Sequence, residues 1–292
     1  LSSEESVLKD WQGLGYYSRA RNLHKAAKTI HYEHQGIFPN TYEEILKLSG
    51  VGNYTAAAIA SFAFDLPHAV VDGNVYRVLS RIYGIDTPID SSKGTKQFQE
   101  LADTLLKMSE GAEHNQAIME FGALQCTPKN PSCSDCALNS ACVAFKTDLV
   151  EELPKKKNKT KQRKIFVNYL IFESEKTIAV QYRNAKGIWQ NMYDFPLIES
   201  KEEINGKELS KTAQMRELNP KGQFILQAES IIRKHILSHQ IIMAKFFHFL
   251  GKDFSPLEKN YRIIAKKDLG SLPVPKLIEK YLSEETNLLP LL

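Results

Sequence analysis

Cysteine is scarce in this chain of 292 residues, and long apolar runs are missing. The four cysteines fall in one short segment, which is too clustered to staple a chain of this length, and no secretory segment is visible, so disulfides are not expected. No run of about 18 apolar residues occurs, which excludes a membrane-spanning helix. The excess of positive over negative charge is also small. A formal net charge of +4 is only weak support for nucleic-acid binding.

The cysteine segment itself is informative. Cys126, Cys133, Cys136 and Cys142 have the spacing C-x6-C-x2-C-x5-C. Zinc ribbons bring two C-x2-C pairs together, so a single pair with longer arms fits zinc poorly. Four convergent thiolates favour a [4Fe–4S] cluster, with zinc and unligated thiols as the remaining alternatives. An apolar helical pattern over 116–125 runs into Cys126, so the cluster is expected at a helix end.

Two parts of the chain differ in periodicity. In residues 4–150 apolar positions recur every three or four residues, as in Leu23, Ala26 and Ile30, which predicts successive helices. The stretch 155–164 has seven basic residues in ten and no apolar one, so a solvated linker and a phosphate-binding segment are equally compatible with it. Beyond it, strand patterns occur at 165–172, 177–182 and 241–250, with a helical pattern near 207–218.

These patterns predict an all-α domain at 1–150, a basic linker at 151–164 and a smaller α+β domain at 165–292. Leu1 is not a start residue, and the residues after it read as the cap and first turn of a helix inside a domain. We therefore expect that an N-terminal segment is missing, together with any view of a targeting signal.

A glycine-flanked turn is the first candidate binding site. A short helix is predicted at 42–47, followed by Gly50-Val51-Gly52 and a second helix from Tyr54. Two glycines around one aliphatic residue allow a tight turn with outward N–H groups, beside the positive end of the next helix dipole. Such a turn can hold a phosphate without reading a base, although an ordinary helix-turn-helix corner would have the same residues.

Asp72 is the candidate catalytic carboxylate. It precedes a predicted helix over 75–83, in the position of an N-cap. A cap contributes about 1 kcal/mol and can be all that this residue does. The same geometry also places a negative charge where it can stabilise an oxocarbenium ion as a glycosidic bond breaks.

Together these features resemble the endonuclease III superfamily of helix-hairpin-helix DNA glycosylases, and within it the MutY-type adenine DNA glycosylases. The resemblance covers nearly the whole chain and is carried by four segments: 11–24, 48–52, 71–79 and the four-cysteine loop. It implies an all-α helix-hairpin-helix glycosylase domain with a [4Fe–4S] cluster loop, followed by a C-terminal α+β Nudix-like domain. It also implies that Asp72 is catalytic.

One position separates two kinds of chemistry within this superfamily. Lyase-type members carry a Lys two residues after the second hairpin glycine, where it forms a Schiff base with the sugar. This chain has Tyr54 there, and a phenol cannot form that imine, so the resemblance implies a monofunctional glycosylase that leaves an abasic site. It further implies that Tyr54 helps to orient Asp72 and the sugar, and that Gln116 and Met119 line an adenine pocket.

The family flips adenine out of the base stack. Tyr16 is the implied aromatic wedge, whereas Tyr17 is more compatible with core packing. Arg19 can contact a DNA phosphate or simply lie on a solvated helix face.

In the second domain the resemblance lies in 187–196 and 234–240. The clustered glutamates of hydrolytic Nudix proteins are not in the sequence, so pyrophosphate hydrolysis is not expected. The family recognises 8-oxoguanine with a Phe-Ser-His loop, and this chain has Leu237, Ser238 and His239 there. Ser238 can accept from the N7–H that 8-oxoguanine has and guanine lacks.

The main departure is at the front of the chain. The general-acid Glu of the family, beside a Gln-Gln-Thr segment, is not in this sequence, and neither Glu4 nor Glu5 has that context. Because adenine leaves well only when protonated, we expect this chain as given to be impaired by about 10²–10⁴-fold.

The leading hypothesis is a monofunctional enzyme that removes adenine mispaired with 8-oxoguanine or guanine. An endonuclease III-like glycosylase/lyase and a non-catalytic DNA-binding protein are the alternatives. The expected cofactor is a [4Fe–4S] cluster, and the expected partner is double-stranded DNA with an 8-oxoguanine:A or G:A mispair. We expect no membrane partner, a monomer, and a location at the bacterial nucleoid.

Overall fold

The computed structural model describes residues 2–107, 111–157 and 162–284. The chain forms two compact units. One consists of Lys25–Lys159, and the other combines Leu1–His24 with Thr160–Leu292. Within the described ranges, no helix is long and apolar enough to cross a membrane.

The first residues of the chain group with its C-terminal half. Leu8 and Tyr17 are buried in the same hydrophobic core as Phe246, far away in the sequence. This grouping differs from the predicted domain boundary at residue 150, because a periodic pattern shows which face of a helix is apolar and not which core covers it. Part of the predicted basic linker, 158–161, lies outside the described residues, so the proposed linker role of 151–164 stays a prediction.

The regular secondary structure described in the Lys25–Lys159 unit is all helical, as predicted. Side-chain caps begin several helices: Thr41 accepts from the Glu44 N–H at 3.4 Å and Ser91 from the Gly94 N–H at 3.0 Å. Phe98 and Leu79 are fully or almost fully buried in its main core. Its helices are α2 (Tyr17–Glu33, which begins in the other unit), α3 (Tyr42–Ile45), α4 (Asn53–Phe64), α5 (Gly73–Tyr83), α6 (Ser92–Leu106), α7 (Gly111–Leu124) and α8 (Val143–Lys146).

The second unit is built on one mixed sheet. Its central strands pair in parallel and in register over their whole length, from Arg163 opposite Gln240 to Glu173 opposite Leu250. Helix α1 (Glu4–Asp10) also belongs to this unit. Its other elements are β1 (Arg163–Glu173), β2 (Thr177–Tyr182), β3 (Tyr193–Asp194), β4 (Leu197–Ser200), α9 (Gly206–Leu209), α10 (Ala213–Leu218), β5 (Ile225–Glu229), β6 (Arg233–Ile236), β7 (Gln240–Leu250), β8 (Arg262–Ala265), a 3₁₀ helix (Lys266–Ser271) and α11 (Lys276–Glu284).

Strand β1 is buried on both faces of this sheet. Tyr169 and Ile171 face one hydrophobic core, and Leu170 and Phe172 face another. Successive side chains of a strand point to opposite faces, so a continuous apolar run is what a strand with two covered faces requires.

The strands predicted at 165–172, 177–182 and 241–250 are confirmed as β1, β2 and β7. The single helix predicted near 207–218 is wrong, because two short helices occupy that segment. Thr212 interrupts it by accepting a hydrogen bond from the Met215 N–H at 3.2 Å and so capping a new helix, α10. The short strands β3–β6 and β8 and helix α11 were not predicted.

Candidate functional site

The glycine-flanked turn lies between α3 and α4. Gly50 has φ +76°, in the left-handed region that favours glycine, and Val51 packs on the small core of this helix pair. Gly52 is the N-cap of α4, which has no side-chain cap. A β-carbon at Gly52 would meet no protein atom within 4 Å, so packing does not require a glycine here. The exposed backbone and the first turn of this twelve-residue helix, which has no side-chain cap, are chemically suited to hold an anion. Their binding of a DNA phosphate stays a prediction.

Asp72 is the N-cap of α5, as predicted. Its Oδ1 accepts from the N–H groups of Asn74 and Val75, both at 2.8 Å. Its Oδ2 accepts from Asn74 Nδ2 at 3.0 Å. The side chain is only partly buried, so the carboxylate is fixed in place and still reachable by a ligand.

Tyr54 stands in the first turn of α4 and is 45% exposed. Burial, and after it the negative charge of Asp72, raises the pKa of the Tyr54 phenol. The phenol therefore remains protonated at neutral pH and lies within the electrostatic field of the Asp72 carboxylate. The structure brings these two candidate catalytic residues together from two helices.

The sequence did not predict the residue that holds Asn74, which in turn donates hydrogen bonds to Asp72. Arg77 is 8% exposed and donates through Nη2 to Asn74 Oδ1 at 2.9 Å and to Gly122 O at 2.5 Å, and through Nε to Cys126 O at 2.7 Å. The start of α5 is thereby tied to the end of α7. The i, i+3 spacing of Asn74 and Arg77 was the available signal, but the other partners of Arg77, Gly122 and Cys126, are distant in sequence.

A second missed residue, Asn115, holds the segment that leads to Asp72. It is 1% exposed. Its Oδ1 accepts from the Val70 N–H at 3.0 Å, and its Nδ2 donates to His68 O and Ser61 Oγ, both at 2.9 Å. Helix α7 is thus joined to α4 and to the chain before Asp72.

The two predicted adenine-pocket residues are both on α7. Gln116 is exposed and donates to Glu120 Oε1 at 2.9 Å. Met119 is partly buried and packs at the margin of the core that contains Val75. Neither has a described hydrogen bond to Asp72 or Tyr54, so their part in a base pocket stays a prediction.

The four cysteines line one cavity with Arg81. All four thiols are free and partly buried. Arg81 is 2% exposed, and its Nη1 lies 3.4 Å from Cys126 Sγ and 2.8 Å from Thr127 O. Burial, followed by the neighbouring thiols, raises the pKa of Cys133.

The four thiols that line one cavity match the donor set of an iron–sulfur cluster, which is held by four thiolates. Among the residues that the structure describes, no group of three or more His, Cys, Asp or Glu side chains is arranged to hold a single metal ion. The buried guanidinium of Arg81 and the backbone N–H of Leu138, 3.4 Å from Cys136 Sγ, both point positive charge at sulfur.

In the other unit, Tyr16 and the loop Leu237–Ser238–His239 line one cavity of about 1290 Å³ including its open mouth. Tyr16 has φ +49° and is 70% exposed, so its ring projects away from the core. Leu237 closes the β6–β7 hairpin by donating its N–H to Gln240 O at 2.8 Å. Ser238 and His239 are exposed.

Arg19 lies beside Tyr16 and does not line that cavity. Its guanidinium carbon is 5.3 Å from the Tyr16 ring centroid and 5.7 Å from that of Trp11. Tyr17 is 5% exposed, which confirms its expected core packing.

Comparison with known proteins identifies both halves of the chain. Residues 2–104 match the family model of the HhH-GPD superfamily of base excision DNA repair proteins, and residues 167–284 match that of the NUDIX domain. A thermostable thymine-DNA glycosylase is a similar solved structure, 31% identical with a TM-score of 0.46, over 50% of this chain and 67% of that one.

Two curated relatives are both adenine DNA glycosylases. That of Buchnera aphidicola subsp. Baizongia pistaciae is 35% identical over 283 residues, covering 94% of this chain and 78% of that protein. That of Buchnera aphidicola subsp. Schizaphis graminum is 35% identical over 204 residues, covering 68% of this chain and 58% of that protein. The chain therefore belongs to the family of adenine DNA glycosylases, which act in base excision repair.

Proposed function

We propose that this chain releases adenine from double-stranded DNA where the adenine is paired with 8-oxoguanine or guanine. The observation that carries the proposal is the Asp72 carboxylate, which three hydrogen bonds fix at the start of α5 with the Tyr54 phenol in its field. The same helical unit carries the anion-binding turn at Gly50–Gly52, which is suited to a phosphate of the DNA backbone.

The chemistry assigned to these residues is hydrolysis of the N-glycosidic bond. As the bond breaks, its electrons go to the base and positive charge develops on the sugar. The Asp72 carboxylate stabilises that cation, and its hydrogen bonds are made before the reaction, so little reorganisation is needed. Water then supplies the hydroxyl that bonds to C1′, and the remaining proton of the water goes to the departing adenine.

Tyr54 assists without a covalent bond to the sugar. Its phenol can donate a hydrogen bond but cannot form an imine. The expected product is therefore an intact strand with an abasic site.

Recognition of the opposite base is assigned to the cavity with Tyr16 and the Leu237–His239 loop. The Ser238 hydroxyl can accept from the N7–H of 8-oxoguanine, whereas guanine has only an acceptor at N7. Tyr16 lies beside it and is mostly exposed, and an exposed aromatic ring is suited to base stacking.

The cofactor assigned to the cysteines is a [4Fe–4S] cluster, which members of this family generally carry. Cys126, Cys133, Cys136 and Cys142 would hold it. When bound, it would fix the loop after α7 rather than take part in hydrolysis. Because Arg77 donates to Cys126 O, that loop and the Asp72 cap share one supporting side chain.

A single-turnover assay tests the proposal. The protein is mixed in excess with duplexes containing adenine opposite 8-oxoguanine, guanine or thymine, and strand scission is measured before and after hot alkali. We expect slow adenine release opposite 8-oxoguanine and guanine, because this sequence has no general-acid Glu in the family's context, and we expect scission only after alkali. Adenine release equal on all three duplexes, or no release on any, would contradict the proposal, and scission without alkali would favour a lyase.

A further inference from the structure

The cavity that contains Tyr16 adjoins a second, strongly basic cleft in the same unit. We call the first the base cavity and the second the cationic cleft. The cationic cleft is lined by Arg233, Lys234, His235, Lys276, Leu277 and Lys280 and measures about 790 Å³ including its opening. His235 and Lys276 line both spaces, so a molecule could occupy them together.

The positive charge of the cationic cleft is only partly neutralised. Glu284 forms an ion pair with Arg233 and lies 4.0 Å from Lys280 Nζ. Among the described residues, no carboxylate forms an ion pair with Lys234 or Lys276, and both lysines are exposed. These two ammonium groups are therefore available to an anionic ligand.

The backbone at Lys276 is held next to the base cavity. Its N–H donates to the Tyr17 hydroxyl at 3.0 Å, and Tyr17 directly follows Tyr16 in the chain. Lys276 is also the first residue of α11, a nine-residue helix whose N-terminal dipole end adds positive potential. A long-range hydrogen bond thus fixes the backbone of Lys276, from which its exposed side chain extends, beside Tyr17.

His235 lies between the two spaces, since its side chain lines both. Burial, and after it the positive charge of Lys276, lowers the pKa of the imidazole. Its ring centroid is 5.9 Å from that of Trp189, which lines the base cavity. The His235 ring therefore stands between the aromatic side chains of the base cavity and the lysines of the cationic cleft. A nucleotide that places its base in the first space and its phosphate in the second would fit this arrangement.

We propose that the cationic cleft binds the phosphodiester of the nucleotide whose base lies in the base cavity, with Lys276 and Lys234 as the contacting groups. This inference deepens the proposed function, since it concerns the strand opposite the excised adenine. It commits to a phosphate of DNA, because the proposed function places the 8-oxoguanine of a duplex in the base cavity.

A double-mutant cycle between one lysine and one phosphate tests the proposal. Lys276→Gln removes the charge, and a neutral methylphosphonate linkage flanking 8-oxoguanine removes that of the phosphate. Each change alone should weaken duplex binding by about threefold to tenfold, which corresponds to about 0.7–1.4 kcal/mol. The two together should weaken it no further, because either one abolishes the same contact.

The salt dependence of binding provides an independent readout. Lys276→Gln and Lys234→Gln should each lower the slope of log K against log salt by about 0.9. Lys252→Gln is the matched control, because Lys252 is an exposed lysine of the same unit outside both spaces. Lys252→Gln should leave the slope unchanged, and in a double-mutant cycle it should show no coupling to the same methylphosphonate.

The outcomes separate this inference from the proposed function. Additive effects of Lys276→Gln and the methylphosphonate would overturn the inference, as would equal effects of Lys276→Gln and Lys252→Gln. The inference would also be overturned if Lys276→Gln weakened the binding of free 8-oxo-dGMP and did not change the binding of the duplex. Adenine release by saturating protein should be the same in the Lys252→Gln and parent proteins, and its absence in both would count against the proposed function alone.

Discussion

Asp72 and Asp194 lie in different units of this protein and show two ways of holding a carboxylate. Asp72 is partly exposed and accepts three hydrogen bonds from its own helix start. Asp194 is 1% exposed, and its Oδ2 accepts from Arg183 Nη1 at 2.7 Å, whereas its Oδ1 has no hydrogen-bond partner among the described residues. Burial raises the pKa of Asp194 to about 6, and Arg183 offsets part of that rise.

This difference teaches that a shifted pKa does not identify a catalytic carboxylate. Perturbed carboxylates often mark functional sites, but a substrate cannot reach Asp194, which is buried in strand β3. Asp72 combines fixed geometry with access, which is what stabilising a charge on a ligand requires. The Asp72 region is therefore the catalytic candidate, and the Asp194 region is a structural one.

The largest expected effect comes from removing the Asp72 charge. Asp72→Asn keeps the shape and can still cap α5, so the free energy of unfolding should fall little. The rate of adenine release should fall by about 10²–10³-fold, because a neutral amide does not stabilise the sugar cation. Single-turnover kinetics measure this on the protein form that is active in the duplex assay.

Ser91→Ala is the control for Asp72→Asn, since it removes the side-chain cap of α6 and so shows what the loss of a helix cap alone does to the rate. It should leave the rate near that of the parent. Equal losses of rate in the two variants would mean that Asp72 acts only as a cap.

The next largest effect concerns the support behind Asp72. Asn115→Ala leaves the Val70 N–H and the His68 carbonyl without their buried partner, and should lower the free energy of unfolding by about 2–3 kcal/mol. Gln116→Ala, one residue along and exposed, should change it by less than about 0.5 kcal/mol. Urea denaturation of both variants measures this contrast, and similar midpoints would show that the Asn115 network contributes little.

These supports mark the limit of what the sequence could predict. Asp72 as a helix cap and β1, β2 and β7 as strands follow from residue types within a few positions of one another. The Arg77 and Asn115 contacts join segments about 45 residues apart, and no local pattern encodes them. The packing of Leu8 with Phe246 is likewise a long-range property.

The raised pKa of Asp194 should make the free energy of unfolding depend on pH. Asp194 has a folded-state pKa near 6 and an unfolded-state value near 3.8, so the folded state holds a proton that the unfolded state has lost between these values. The stabilisation from that proton is lost as the pH rises through about 6. From about pH 4.5 to about pH 7.5 this group should lower the free energy of unfolding by about 2 kcal/mol.

Asp194→Asn should remove that pH-dependent loss. The comparison is made by urea denaturation of both proteins at the two pH values. An Asn variant with the same pH dependence as the parent would show that Asp194 does not titrate in this range.

The smallest expected effect is in base recognition. Ser238 is exposed, so its hydrogen bond to a base competes with water and contributes about 1 kcal/mol. Ser238→Ala should reduce the preference for 8-oxoguanine over guanine by about fivefold to tenfold and leave the guanine duplex nearly unaffected. Competition binding measures the ratio, and equal losses on both duplexes would contradict selective recognition by Ser238.

The central claim is that the Asp72 charge stabilises a cation on the sugar. Its most direct test compares the affinity for a duplex with a cationic pyrrolidine in place of the target nucleotide with the affinity for the same duplex with a neutral tetrahydrofuran. Asp72 and a cation close to it should give the parent protein a preference for the cationic duplex of about tenfold or more. Asp72→Asn should lose that preference and keep its affinity for the neutral duplex, whereas an unchanged preference in the Asn variant would contradict the account.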